Sequence, residues 1–227
     1  MQKIDSRSQR KIFNHKFVES QEIKDVYRDG KRFYVLPNGM QVPSVTTVLS
    51  SQGTEHLDKW RQRVGQAEAD KITTQAKNRG TAIHTLAERY LLNIEDYDAG
   101  AMPVNKFDFQ AIRKILDENV DNLIGIEYPL YSYRLKTAGR TDLIAEWQGR
   151  PAIIDFKTSR KIKKPEWIEN YFLQATCYSL MVQERINISC PDIVIIIAVD
   201  HEEPQIFCEK RKNYLDKTLN LFTKFSS

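Results

Sequence analysis

The sequence predicts an α/β (α+β) fold in which a central mixed sheet is flanked by helices. Residues 139–157 alternate apolar and polar side chains on either side of Gln148-Gly149, a pattern typical of two strands joined by a tight turn. The apolar run at residues 193–199 has the length of a buried strand. Helical stretches separate these strands, and this order is typical of helices packed on a sheet.

The composition restricts the class of protein. A chain of 227 residues with 41% hydrophobic residues can form one domain with a substantial core, and no apolar run is long enough to span a membrane. The net charge of +4 and the pI of about 8.8 are compatible with a polyanionic partner. The three scattered cysteines match no disulfide framework and no zinc or iron–sulfur pattern, which favours a reducing, intracellular setting.

The N-terminal part of the chain is predicted to be an arm. Residues 1–25 are polar and charged with little periodicity, so we expect an arm or a loosely docked segment before a single domain over residues 26–227. Residues 1–17 are basic but contain no apolar signal core. We therefore expect a soluble protein of the cytoplasm, or of a host-cell cytoplasm, rather than a secreted protein or one of the mitochondrial matrix.

Two turn signals predict a short β-meander at the start of the domain. An Asp-Gly pair at 29–30 and an Asn-Gly pair at 38–39 flank the strand-like residues 32–36. Ser44 follows them and suits the N-cap of a helix. A contact between the Ser44 hydroxyl and a phosphate is the alternative role for this residue.

A helical insertion is predicted over residues 53–120. Apolar residues recur at spacings of three and four from 56 to 92, with an interruption near Gly80 where a new helix can begin. That helix would place His84 and Glu88 on one face, since they are four residues apart. The next helix, at 105–120, would bury a stripe of Phe107, Ile112, Ile115 and Leu116.

The second half of the chain predicts strands around one long helix. A strand at 125–133 precedes the hairpin, and a helix at 165–183 follows it. The buried strand then covers residues 192–199. A short strand at 205–208 and a charged helix at 210–224 complete the chain.

The tight turn fixes the register of the hairpin. With a two-residue loop, Asp142 lies opposite Asp155, and Arg140 lies opposite Lys157. Because side chains alternate along a strand, one face is apolar and the other gathers charges at one end. The apolar face consists of Leu143, Ala145, Trp147, Ala152, Ile154 and Phe156. The opposite face consists of Arg140, Asp142, Ile144, Ile153, Asp155 and Lys157.

The charged end of the hairpin predicts a metal site. Two opposed carboxylates repel each other, and a divalent cation between them would remove that cost. Oxygen ligands favour magnesium or manganese. Lys157 lies two residues after Asp155, so it points to the same side and can orient an attacking water. The alternative is a half-solvated hairpin whose charges face water, and the residues alone do not fix a substrate.

These residues resemble the PD-(D/E)xK nuclease superfamily. The match begins at Asp142 and continues after the hairpin with the triplet Asp155-Phe156-Lys157. Four further motifs are similar to its RecB-like exonuclease branch and to phage-type and mitochondrial genome-maintenance exonucleases. They are Gly139-Arg140-Thr141-Asp142, Arg79-Gly80-Thr81-Ala82-Ile83-His84, Gln174-Ala175-Thr176-Cys177-Tyr178 and Pro43-Ser44-Val45-Thr46. The resemblance covers residues 32–200.

The resemblance implies a restriction-endonuclease-like core with a metal-dependent catalytic site. Asp142 and Asp155 would be metal ligands, joined by the backbone carbonyl of Phe156. Lys157 would position the attacking water, and His84 would be an additional metal ligand. The cofactor would be Mg²⁺ or Mn²⁺. No iron–sulfur cluster is expected, because the four-cysteine set of some RecB-like members is absent.

The resemblance also implies a surface for nucleic acid. Gln174 and Tyr178, one helical turn apart, would face the strand, with ordinary packing as the alternative for Tyr178. Arg140 and Arg79 would bind phosphate, as would Ser44 in its alternative role. For Arg140 the alternative is that it only offsets the charge of a neighbouring carboxylate.

Two further carboxylates are candidates for the site. Glu127 lies on the strand before the hairpin and would add a contact to the metal, with an ordinary surface position as the alternative. Glu88 would support His84 from the same helical face.

The expected function is that of a metal-dependent DNA exonuclease. It would hydrolyse phosphodiester bonds of single-stranded DNA or DNA ends in replication, recombination or repair, with lysine and arginine contacts to phosphates and aromatic residues such as Tyr178 stacking bases. One alternative is a structure-specific or restriction-type endonuclease. The other is a noncatalytic nucleic-acid-binding module, and the presence of Asp142, Asp155 and Lys157 argues against it.

Overall fold

Two sheets and their helices make up the part of the chain that the computed structural model describes, residues 10–53 and 55–226. The strands are β1 (Lys24–Arg28), β2 (Lys31–Val35), β3 (Gln41–Pro43), β4 (Val120–Ser132), β5 (Thr137–Trp147), β6 (Arg150–Ser159), β7 (Asp192–Val199) and β8 (Gln205–Lys210). The helices are α1 (Val45–Ser50), α2 (Glu55–Val64), α3 (Gln66–Leu91), α4 (Pro103–Asn119), α5 (Glu169–Ile186) and α6 (Leu215–Ser226). Short 3-10 turns cover Pro165–Trp167 and Arg211–Asn213.

The central sheet has the order β4-β5-β6-β7-β8. Only β6 and β7 run parallel, and the other neighbours are antiparallel. Parallel strands need a crossover connection, and α5 provides it. The remaining strands, β1 to β3, form an antiparallel meander of their own. The predicted mixed α/β fold with an N-terminal meander is confirmed.

Helices cover both faces of the central sheet. On one face, Leu143 and Ile154 are buried in a cluster with apolar residues of α3 and α4. On the other face, Ile144 and Ile153 are buried in a cluster with residues of α5 and α1. The predicted apolar face is therefore correct, whereas the half-solvated alternative is wrong because α5 covers the second face as well.

The tight turn of the hairpin is confirmed. Trp147 pairs with Arg150, and the two residues between them have positive φ angles of 50° at Gln148 and 79° at Gly149. Positive φ at both positions is the conformation of a type I′ turn. Gln148 tolerates it with the help of Asn119, whose carbonyl and side-chain oxygen accept its backbone N–H and its amide N–H at 2.8 Å each.

Two details of the helical region differ from the prediction. Helix α3 continues through Gly80 without a break, because packing against β6 outweighs the low helix propensity of glycine, about 1 kcal/mol. Phe107 does not belong to the buried stripe of α4, since its surface is 72% exposed. Phe109 takes the buried position instead.

The described part of the predicted arm is packed against the central sheet. The backbone N–H groups of Lys16 and Val18 donate hydrogen bonds to carbonyls of β4 at 2.7 and 3.1 Å, and Phe13 is buried. Residues 10–18 are thus docked rather than loose, while residues 1–9 of the expected arm lie outside the described residues. No helix among the described residues is long and apolar enough to cross a membrane.

Candidate active site

Strands β5 and β6 of the central sheet separate at the predicted metal site. We call the gap between the two strands the opening. Pairing between these strands ends at Leu143 and Ile154. Beyond this point β5 stays paired with β4, and β6 stays paired with β7. The opening therefore falls at Asp142 and Asp155, one residue past the last pair. In place of a ladder bond, Oδ2 of Asp142 accepts a hydrogen bond from the backbone N–H of Phe156 at 2.7 Å.

The opening separates Arg140 from Lys157, so the predicted opposition of these two cations is wrong. Arg140 pairs with Pro129 of β4. Its guanidinium donates to the carbonyl of Glu127 at 3.0 Å and to a carboxylate oxygen of Glu22 at 2.6 Å. Arg140 is consequently occupied by partners on the β4 side of the opening, and it does not present a free charge to a phosphate.

Asp155 and Lys157 point to the same side of β6, as predicted. Asp155 is only 1% exposed and forms an ion pair with Lys157. The side-chain amide of Gln174 on α5 donates to Oδ1 of Asp155 at 3.2 Å. The ammonium of Lys157 lies 5.2 Å from the ring centre of Tyr171, also on α5. Gln174 therefore contacts a predicted metal ligand directly and fixes its orientation.

His84 reaches the same opening from α3, on the other face of the sheet. Its Nε2 donates to the carbonyl of Phe156 at 2.9 Å. Its Nδ1 lies 3.5 Å from Oδ1 of Asp142 and 3.8 Å from Oε1 of Glu127. The structure thus brings His84, Asp142, Asp155, Phe156 and Glu127 together, from elements distant in the sequence.

Glu127 has an unusual backbone conformation at this site. It lies opposite Asp142 in the register of β4 and β5, and its φ angle is +44°. A left-handed residue other than glycine within a strand costs on the order of 1–3 kcal/mol and is common at functional sites. The hydrogen bond from Arg140 to the Glu127 carbonyl holds this conformation. No feature of the sequence predicts this left-handed conformation.

The charges in the opening shift one another's pKa values. Burial and the Asp155 carboxylate raise the pKa of Asp142 to about 7, although His84 acts in the opposite direction. Burial disfavours the charged form of His84, but the nearby carboxylates of Glu127 and Asp142 raise its pKa to about 9. Burial likewise disfavours the charged form of Lys157, and the charges of Asp155 and Asp142 still raise its pKa.

The donor set fits a hard divalent cation. Ligand atoms of His84, Glu127 and Asp142 lie within 4.8 Å of one another, and the carboxylate of Asp155 is buried beside them. Carboxylate and carbonyl oxygens are the ligands that magnesium and manganese prefer. The raised pKa of Asp142 reflects the cost of burying its charge and of placing it beside Asp155, and a bound cation would offset both.

Tyr178 does not face the open site. It is 2% exposed, and its burial together with the charge of Asp155 raises the pKa of its hydroxyl well above the usual range. A Cβ atom added to Gly139 would lie 2.6 Å from that hydroxyl, so Tyr178 packs against the bare backbone of β5. The predicted base stacking on Tyr178 is wrong for this conformation, and the packing alternative describes the residue correctly.

Two other residues predicted to bind nucleic acid have structural partners instead. Ser44 is buried and caps α1, because its hydroxyl accepts the N–H of Thr47 at 3.0 Å. Arg79 lies inside α3, where it forms ion pairs with Asp108 and Asp200. Ser44 is not accessible to a phosphate, and the charge of Arg79 is already neutralised.

Glu88 lies one helical turn after His84 and is half-buried. Burial and the nearby charge of Glu127 raise its pKa. Glu88 therefore lies near Glu127 at the edge of the site, and its support of His84 stays a prediction.

The part of the chain that contains most of this residue set matches a family of known proteins. Residues 109–193 match the family model described as the PD-(D/E)XK nuclease superfamily. This segment contains Asp142, Asp155, Lys157 and Gln174, and His84 precedes it. The predicted resemblance to this superfamily is confirmed over the matched segment.

Two curated proteins extend the comparison. Mitochondrial genome maintenance exonuclease 1 of Mus musculus is 27% identical over 130 residues, which cover 54% of this chain and 38% of that protein. The protein of the same name from Homo sapiens is 28% identical over 160 residues, covering 65% of this chain and 46% of that protein. The chain therefore spans less than half the length of these relatives.

One solved structure is also similar. It is that of a provisionally assigned exonuclease from Eubacterium rectale, with a TM-score of 0.44, 15% identity and coverage of 63% of each chain. A similarity of this size does not bear on the function of the present chain.

The contact between Gly139 and Tyr178 gives a testable prediction. Gly139→Ala should lower the free energy of unfolding by about 1–3 kcal/mol, because its Cβ would overlap the Tyr178 hydroxyl while β4 holds the backbone of β5. Urea unfolding measures this decrease. Tyr178→Phe in the Gly139→Ala background removes the closest atom and should recover part of the stability. A Gly139→Ala protein as stable as the wild type would contradict the packing.

Proposed function

We propose that the chain is a divalent-metal-dependent DNA nuclease that hydrolyses phosphodiester bonds. We further propose that it acts as an exonuclease on single-stranded DNA or DNA ends in replication, recombination or repair. The observation that carries the proposal is the convergence of Asp142, Asp155 and Lys157 at the opening of the sheet. The match to a nuclease superfamily and the exonuclease names of the curated relatives support it.

The metal would be held by the residues around the opening. Asp142, Asp155 and the carbonyl of Phe156 would bind Mg²⁺ or Mn²⁺, with His84 and Glu127 as further ligands. When bound, the cation supplies a Lewis acid for phosphate oxygens. His84 must give up its proton to serve as a ligand, since only a neutral imidazole binds metal.

Lys157 is the residue best placed to act on the attacking water. Its raised pKa keeps it protonated, so its ammonium can donate a hydrogen bond that holds the water for attack on phosphorus. Its ion pair with Asp155 directs the ammonium towards the opening. Gln174 in turn fixes Asp155, which makes it a positioning residue.

The central prediction concerns cleavage. Asp155→Asn and Lys157→Ala should each lower the cleavage rate by about 100-fold or more, because preorganised charges at a reacting centre contribute on this scale. Digestion of end-labelled single and double strands with magnesium, manganese or a chelator measures this. Binding of DNA should persist in both variants. Lys212→Ala, which removes an exposed lysine outside the site, is the matched control and should cleave normally.

Full cleavage by Asp155→Asn or Lys157→Ala would refute the assigned site. A closed circular single strand tests the mode of action separately. An obligate exonuclease leaves the circle intact, whereas cleavage of the circle would assign an endonuclease instead.

Thermal unfolding tests the metal site without turnover. Mn²⁺ should raise the Tm of the wild type, since a ligand that binds only the folded state stabilises it. Asp142→Asn should lose this rise while keeping the metal-free Tm close to that of the wild type. The amide oxygen can still accept the N–H of Phe156, and the repulsion from Asp155 is removed. An equal Mn²⁺ effect on both proteins would contradict the assignment of Asp142 as a ligand.

A further inference from the structure

A basic loop at residues 160–167 follows β6 and leads into α5. It contains Arg160, Lys161, Lys163 and Lys164 but only one carboxylate, Glu166. Because Lys157 lies on β6 only three residues before it, the loop starts beside the candidate active site.

The backbone of the basic loop is held in place. The side chain of Gln205 accepts the N–H of Lys163 at 2.7 Å and donates to its carbonyl at 2.9 Å. The hydroxyl of Ser159 donates to the carbonyl of Lys161 at 2.6 Å. These bonds fix the path of the loop before any ligand binds, which lowers the entropic cost of binding.

The cations of the basic loop have no carboxylate partner among the side chains that the structure describes. Within residues 10–53 and 58–225, none of its arginine and lysine side chains lies within ion-pair distance of a carboxylate. Arg79 and Arg140, which were predicted to bind phosphate, are by contrast both paired. The electrostatic attraction for a polyanion near the site is therefore concentrated in the basic loop.

An exposed indole lies among these charges. Trp167 is 63% exposed, and the ammonium of Lys164 lies 5.4 Å from its ring centre. Proteins that bind single-stranded nucleic acid combine cations along the backbone with aromatic rings on which bases stack. Trp167 provides the exposed ring that the buried Tyr178 does not provide.

The basic loop adjoins the candidate active site on two sides. Trp167 precedes Tyr171 by four residues, so their Cα atoms are at most about 15 Å apart, and Tyr171 contacts Lys157. On the other side, a cavity of about 760 Å³ lies between the end of β6 and α3. Its lining includes Thr158, Ser159, Arg160, Lys161 and Lys163.

We propose that the basic loop binds the single-stranded nucleic acid that enters the site. Its cations contact phosphates, and Trp167 stacks on an unpaired base. This inference rests on the proposed nuclease function and adds a binding platform to it. A base inside a duplex already stacks on its neighbours, so the platform favours single strands over double strands.

Equilibrium binding to two strands of equal charge tests the platform. A short oligothymidylate and an abasic strand of equal length are each titrated in the presence of a chelator, so that no cleavage occurs. Trp167→Ala should weaken binding of the oligothymidylate about 5- to 150-fold, the range expected when one base stack is removed. It should change binding of the abasic strand less than about twofold, because the cations remain.

Two further variants separate stacking from charge. Trp167→Phe should restore most of the affinity for the oligothymidylate, since phenylalanine also offers an aromatic face. The double variant Lys161→Ala with Lys163→Ala should weaken the binding of both strands. It should also reduce the slope of log K for binding against log salt concentration by about 0.7 for each phosphate that the variant no longer neutralises.

Phe107→Ala is the matched control for removal of an exposed ring. Phe107 is 72% exposed and lines a cavity with Glu202 and Glu203, where repulsion disfavours a polyanion. This variant should bind both strands like the wild type.

The proposal is overturned if Trp167→Ala binds the oligothymidylate normally, or if its affinity for both strands falls equally while it remains folded by circular dichroism. Tight binding of the protein to phosphatidylserine–phosphatidylcholine vesicles, with no affinity for either strand, would also overturn the proposal. The basic loop would then be assigned as a membrane-binding surface. Since these measurements need no cleavage, a nuclease-inactive protein with the expected binding pattern would refute only the proposed function.

Discussion

The separation of β5 from β6 is the constraint on which the site depends. Where the ladder stops, Phe156 has a backbone N–H and a carbonyl that are not paired with the backbone of β5. Asp142 accepts the first and His84 donates to the second. The opening therefore orders a carboxylate and an imidazole around one residue, Phe156. If the pairing continued by two residues, to Thr141 and Phe156, it would satisfy the backbone but close the space between the two strands.

Close packing on both faces keeps this charged opening in place. Two apolar clusters, one against α3 and α4 and the other against α5, hold the strands that carry Asp142, Asp155 and Lys157. The same burial that stabilises the sheet raises the pKa of Asp142 and makes the group of charges costly without a cation. Groups of charges whose local arrangement lowers the stability of the fold are typical of functional sites. Each helix also supplies one polar residue, His84 from α3 and Gln174 from α5.

Much of the fold could be predicted because it depends on local signals. The Gln148-Gly149 turn predicts the register of β5 and β6 as far as Leu143. The alternation of side chains along a strand predicts that Asp155 and Lys157 lie on one side of β6. The motif resemblance added His84 and Gln174, which no spacing rule could bring together across the sheet. The predicted register and side-chain alternation agree with the structure because turn geometry and strand alternation act over a few residues.

The features that could not be predicted depend on tertiary contacts, which no local sequence pattern indicates. The opening of the ladder, the left-handed backbone at Glu127 and the ion pairs of Arg79 and Arg140 all involve residues far apart in the chain. Tyr178 is buried because Gly139 provides space for its ring, which amphipathic spacing alone cannot reveal.

The most direct test is the anomalous scattering of manganese in crystals soaked with Mn²⁺. The account predicts a peak in the opening between β5 and β6, within about 2.0–2.6 Å of oxygens of Asp142, Asp155 and the Phe156 carbonyl. The peak should disappear in Asp142→Ala crystals. A protein that cleaves DNA with manganese while its bound ion lies elsewhere, with no peak in the opening, would contradict the account.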